Sequence, residues 1–168
     1  MTFIGIISDS KSFERMKEKV KQLDIETIKL IHINKKSIGN IRNIKFQSVI
    51  INSDLEEYQN EKKLIQIICE NADYIVVNTD INLKIEGRKN SKIITYGLNR
   101  KANVTISSIT EASILIYLQK NIKIQGKEEA EIAEKRIKRQ EDSKMKTYEI
   151  LILYIIFLIN SIPIIEQI

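Results

Sequence analysis

Between Asp73 and Ile109 three apolar runs follow one another with only short polar segments between them. Tyr74 to Val77 ends in Asn78-Thr79-Asp80, Ile93 to Tyr96 ends at Gly97, and the alternating run Val104 to Ile109 follows Ala102-Asn103. Runs of this length bounded by turn residues read as strands. From residue 92 onward the β-rich runs, at 92–96, 103–109 and 113–118, leave no room for crossover helices. Short connections of this kind predict antiparallel neighbours.

Upstream of residue 92 the pattern is different. Phe3 to Ser8, Thr27 to Ile33, Ser48 to Ile51 and Tyr74 to Val77 read as strands. A helix is expected over Lys11 to Gln22, capped by Asp9 and Ser10, with Phe13, Met16 and Val20 on one side. A second is expected over Glu57 to Asn71, carrying Leu64, Ile65, Ile68 and Cys69. The polar stretch Lys35 to Asn43 reads as a loop. Strands alternating with helices predict a parallel, doubly wound sheet.

The expected fold is therefore α/β in a single domain, since 168 residues fit one. A Rossmann-like, mostly parallel sheet with helices occupies 1–91, and an antiparallel β extension occupies 92–125. A charged segment and an apolar C-terminal helix fill 126–168. Strong helix formers and the pairs Glu131/Lys135 and Glu134/Lys138 predict a helix over Gly126 to Gln140. Glu141 to Lys146 reads as a polar linker.

The run Ile150 to Ile159 is uninterrupted and apolar. Even extended to Ile165 it gives 16 residues, short of the roughly 20 that span a bilayer. A packed terminal helix is the favoured reading, with a membrane anchor over 148–165 the alternative. So uniform a helix buries both sides, which raises a homodimer through this segment as a partner expectation.

Composition narrows the function classes. Apolar residues make up 43 % and there is no Trp, so the core is aliphatic, with Ile supplying 37 residues. The net charge of +5 is spread along the chain among 22 acids. No compact basic stripe carries interleaved aromatics, which argues against a nucleic-acid partner. A lone Cys69 in an apolar stretch reads as a buried helical thiol and fits a reducing, cytoplasmic compartment. Met1 leads directly into a strand, with no secretory leader pattern.

The catalytic inventory is sparse. His32, the single histidine, lies in an apolar run with no acid beside it, and reads as a packed or edge-strand residue. One His and one Cys cannot build a transition-metal cage. The first strand-to-helix turn, Ser8-Asp9-Ser10-Lys11-Ser12, lacks glycine, and Asp9 would repel a phosphate. Neighbouring acids at Glu56-Glu57 and Glu128-Glu129 read as solvated. After strand 74–77, Asn78 and Asp80 form an Asx-type turn or offer a ligand contact at a strand's carboxyl end.

Residues 73 to 165 resemble the latter half of the ATP-binding central domain of the Mur ligases, the peptidoglycan amide ligases. There a strand ends in Asn-Ala-Asp-Asp, a later strand ends in Tyr/Phe-Gly, and Ala-Asp-Val starts the next. Asn78-Thr79-Asp80, Tyr96-Gly97 and Ala102-Asn103-Val104 hold those places. Tyr148, Leu151, Ile162 and Pro163 match the family's following segment, with Ser161 where the family has Gly. The resemblance implies that Asn78 sits at the adenine end of an ATP site, with Asp80 at the motif's first Asp. Ile81 departs from the second Asp, and the glycine-rich phosphate loop has no counterpart. It implies a non-catalytic, Mur-ligase-like binding or scaffold protein near cell-wall synthesis, with ATP the candidate cofactor. The alternatives are an ATP-dependent ligase component whose phosphate loop comes from a partner, and a small membrane-associated protein.

Overall fold

The computed structural model describes residues 1–81, 92–124, 129–140 and 143–164. Parts of the expected segments, residues 82–91, 125–128, 141–142 and 165–168, lie outside the described residues. The chain is a mixed α/β protein that divides into two compact units, Met1–Ile93 and Ile94–Ile168. The boundary falls near the switch of pattern seen at residue 92.

The first unit is built on β1 (Thr2–Ile7), β2 (Ile28–His32), β3 (Ser48–Ile51) and β4 (Tyr74–Asn78). All three pairings are parallel, in the order β2-β1-β3-β4. Every residue of β3 is buried, as is all of β4 except Val77. That burial explains the continuous apolar runs, since a parallel sheet is covered on both faces.

Helix α1 (Ser10–Gln22) begins at Asp9, whose Oδ1 accepts the Ser12 N–H at 2.9 Å. This is the cap expected from the sequence. Phe13, Met16 and Val20 are buried along one stripe. Past the end of the helix and its cap Leu23, Asp24 takes a left-handed φ of 53°. Ile25 N–H then donates to Val20 O and Asp24 N–H to Lys21 O, closing the last turn.

Two helical expectations change. The stretch read as a loop at 35–43 contains a single helical turn, α2 (Ile38–Ile41), which buries Ile38. The helix expected over 57–71 is divided. A 3₁₀ turn at Glu56–Tyr58 comes first, and α3 (Lys62–Glu70) starts later. The tighter turn drops Tyr58 into the core that also holds Ile65, Ile68 and Cys69.

Strand β5 (Lys92–Tyr96) spans the boundary, and the second unit carries its end together with β6 (Val104–Ile109), β7 (Ser113–Leu118), β8 (Ala133–Lys138) and α4 (Thr147–Asn160). The β6–β7 and β7–β8 pairings are antiparallel, as the short connections require. The β5–β6 pairing is parallel, contrary to expectation, and rests on Tyr96 opposite Val104. The strands are staggered: β6 starts beside the end of β5 and runs on. The chain never retraces β5, so a short loop suffices where a full parallel crossover would need a helix.

The predicted helix over 126–140 is corrected within the described residues: Ala133–Lys138 form strand β8. Its six residues pair in unbroken register with β7, and Ile137 is fully buried opposite Ile114. Tertiary pairing overrides helix propensity here. Residues four apart on a strand lie about 13 Å from each other, so the Glu134/Lys138 pair that a helix would close does not form.

Helix α4 is buried almost all round: ten of its fourteen residues are buried, including the run Ile150 to Phe157. The burial comes from the chain itself. Among the described residues no helix is long and apolar enough to cross a membrane. Glu149, at the third helical position, accepts the Lys146 N–H at 2.9 Å and so satisfies the helix entry.

Candidate functional site

In an open parallel sheet, ligands bind outside the carboxyl ends of the strands, at the point where strand order reverses. In the first unit the order reverses between β1 and β3. The residues that leave those strand ends are Ser8 and Asp9 after β1, His32 and Asn34 at β2, Asn52 after β3, and Asn78 to Asp80 at β4.

At the β3 and β4 ends two carboxamides meet. Asn78 Nδ2 donates to Asn52 Oδ1 at 3.3 Å, and Asn78 Oδ1 accepts the Asp80 N–H at 2.9 Å. The second bond is an Asx turn, one of the two roles open to this segment from sequence. Asn78 is 2 % exposed, whereas Asn52 is half-buried and Asp80 exposed. Asn78 therefore lies beneath the rim, holding Asn52 and the turn in place. The backbone N–H of Asn52 donates to Ile7 O at 2.9 Å, which ties this rim to β1.

Sequence reasoning singled out Asn78 and Asp80 and passed over Asn52. The signal was present: β3 and β4 each end an apolar run in Asn followed by a hydroxyl residue, Asn52-Ser53 and Asn78-Thr79.

At the β1 and β2 ends His32 is the hub. Its Nε2 lies 2.9 Å from Ser8 O and its Nδ1 3.3 Å from Asn34 Nδ2. A carbonyl only accepts and an amide nitrogen only donates, so the two contacts fit an imidazole that donates from Nε2 and accepts at Nδ1. The imidazole stacks on Phe13, with centroids 4.6 Å apart and planes 10° from parallel. His32 is thus a packed residue, as its apolar run suggested. Asn34 and Ser37, neither singled out from sequence, complete the network. Asn34 Oδ1 accepts the Lys36 and Ser37 N–H groups at 2.9 and 3.0 Å, and Ser37 Oγ donates to His32 O at 2.8 Å.

The chemistry this edge offers is carboxamide, hydroxyl and imidazole hydrogen bonding beside the carboxylates of Asp9 and Asp80. Among the described residues no group of three His, Cys, Asp or Glu is placed to hold a metal ion. Cys69 is fully buried, and desolvation, with Glu70 adding to it, pushes its thiol up to about 12. It is inert as a nucleophile near neutral pH.

No known protein-family model matches this chain, and no characterised protein matches it significantly in sequence.

Proposed function

We propose that the first unit is a non-catalytic binding module for a small heterocycle of the nucleobase type, received at the carboxyl ends of β3 and β4. The observation that carries this is the carboxamide pair Asn52–Asn78 at neighbouring strand ends, 3.3 Å apart. A carboxamide donates and accepts at once, which suits the amino group and ring nitrogen of adenine. Half-exposed Asn52 makes the contact, Asn78 positions it from below, and exposed Asp80 stands where ribose hydroxyls would fall.

The resemblance to Mur ligases supports the adenine assignment, the Rossmann-like reading of the sheet and a cytoplasmic scaffold role near cell-wall synthesis. The turn after β1 has Asp9 as its cap, a poor partner for a triphosphate. The base and sugar therefore supply the affinity, and adenosine should bind as well as ATP.

Calorimetric titration of the full chain with adenosine, and separately with ATP and Mg²⁺, tests this. Comparable binding of both, lost in Asn52→Ala, supports it. Binding of ATP alone favours the rival reading, a ligase component completed by a partner. No heat with either ligand at millimolar concentration overturns nucleotide recognition.

A further inference from the structure

We propose that His32 is a pH-sensitive latch that closes segment 34–37 over the carboxyl ends of β1 and β2, and that protonation of its Nδ1 releases that segment. The latch operates without a ligand and is independent of nucleobase binding.

The latch follows from which atoms are already committed. In the neutral ring Nε2–H donates to Ser8 O, and Nδ1 accepts from Asn34 Nδ2. A proton added to Nδ1 from solvent sets two donors against each other. Rotating the Asn34 amide would normally restore a bond. Here its Oδ1 is held by two backbone N–H groups, those of Lys36 and Ser37. Rotation would break both, so a flip of the amide does not relieve the conflict. The same segment is anchored to the His32 backbone through Ser37, whose Oγ also accepts the Asn34 N–H at 3.0 Å.

The charged groups of the flanking segments are engaged with other partners or are cationic. After β1 comes Asp9, whose carboxylate caps α1 through Ser12. On α1 is Lys17, whose Nζ lies over the same Phe13 ring at 5.9 Å. On the segment itself are Lys35, over the Tyr58 ring at 5.8 Å, and Lys36. No described carboxylate pairs with the imidazole to favour its charged form.

The test is residue-resolved amide hydrogen exchange on the full chain at pH 7.5 and pH 5, corrected for intrinsic rates. Residues 34–38 should exchange roughly tenfold faster at pH 5, the loss of about one hydrogen bond's worth of protection, while Val49–Ile51 and Tyr74–Val77 hold steady. Asn34→Asp supplies a sign test. A carboxylate keeps the two backbone bonds but presents an acceptor to Nδ1, so protection of the segment should be greater at pH 5 than at pH 7.5. Imidazole nitrogen spectra of the unmodified chain at pH 7.5 should show the Nε2–H tautomer. A proton on Nδ1, unchanged protection at pH 5, or the same pH response in Asn34→Asp would overturn the latch.

Discussion

Asn103 and Thr95 are bonded three times over. Asn103 Oδ1 accepts both the backbone N–H and the Oγ1–H of Thr95, at 2.8 and 2.7 Å, and Asn103 N–H donates to Thr95 Oγ1 at 2.9 Å. This side chain does the work of a ladder rung where β5 and β6 barely overlap. Gly97 N–H adds one backbone bond, to Val104 O at 3.2 Å. The stagger of the two strands is held by a polar clasp more than by sheet pairing.

Asn103→Ala removes the acceptor of two of those bonds. At 0.5–1.5 kcal/mol net for each, the loss should be about 1–3 kcal/mol. Asn103→Asp retains an acceptor oxygen in the same place and should cost under about 1 kcal/mol. Urea unfolding of the three proteins, followed in parallel, ranks them. Equal loss in both variants would mean the amide nitrogen of Asn103, and not its oxygen, holds the clasp.

Ser161 closes α4 in a left-handed conformation, φ 54° and ψ 34°. Ile162 N–H donates to Phe157 O at 2.9 Å and Ser161 N–H to Leu158 O at 3.2 Å, the bond pair of a Schellman ending. Glycine is the residue such a position favours, because a Cβ is strained there by about 1 kcal/mol. Ser161→Gly should therefore raise stability by roughly 0.5–1 kcal/mol, offset in part by the greater freedom of glycine in the unfolded chain. Thermal unfolding reads the change, and a lower midpoint would contradict it.

Gly5, in the middle of β1, tolerates no side chain. A Cβ there would meet Ile33 Cδ1 at 2.5 Å and two Phe46 ring carbons at 3.2 Å. Gly5→Ala should cost about 1–3 kcal/mol by overpacking. The Ile33 contact is the end of a flexible side chain, and Ile33→Val deletes that atom. The double variant should thus be less destabilised than the two single costs added, by about 0.5 kcal/mol or more. Strict additivity would place the clash on Phe46 instead.

The legible parts of this fold were those in which local pattern and tertiary context agree. Strands β3 and β4 were readable because they are buried on both faces and so are almost continuously apolar. The Asp9 cap was readable because its chemistry is local. Strand β8 was not. Arg136 and Lys138 are exposed and Ile137 alone is fully buried, so nothing in AEKRIK marks the side that meets β7. The parallel β5–β6 pairing was hidden for another reason: loop length constrains direction only when strands overlap along their length. At the candidate site, the turn chemistry of Asn78 was visible from its neighbour Asp80. Its bond to Asn52, 26 residues away, depends on the β3–β4 register and left no local trace.

Burial of Cys69 carries a consequence for alkaline stability. The thiol is raised from 9.0 to about 12, by desolvation first and by the charge of Glu70 second. Between those limits the unfolded chain has lost the proton and the folded chain has kept it. Unfolded protein then binds fewer protons, so stability must fall as pH rises, by up to about 1.4 kcal/mol per pH unit. Below pH 9 the contribution is fully present. Tyr58 and Tyr154 are also raised from 10.0 by burial, so they add losses of the same sign at higher pH. Cys69→Ala isolates the thiol. Its absolute stability should be lower, from the small cavity it leaves, but between pH 9 and 10 its stability should decline less steeply than that of the unmodified chain. Urea midpoints measured every half unit from pH 8 to 10.5 would show the two curves converging. Parallel curves would mean that the thiol reaches solvent and ionises in the folded protein, in which case it would also react with iodoacetamide without unfolding.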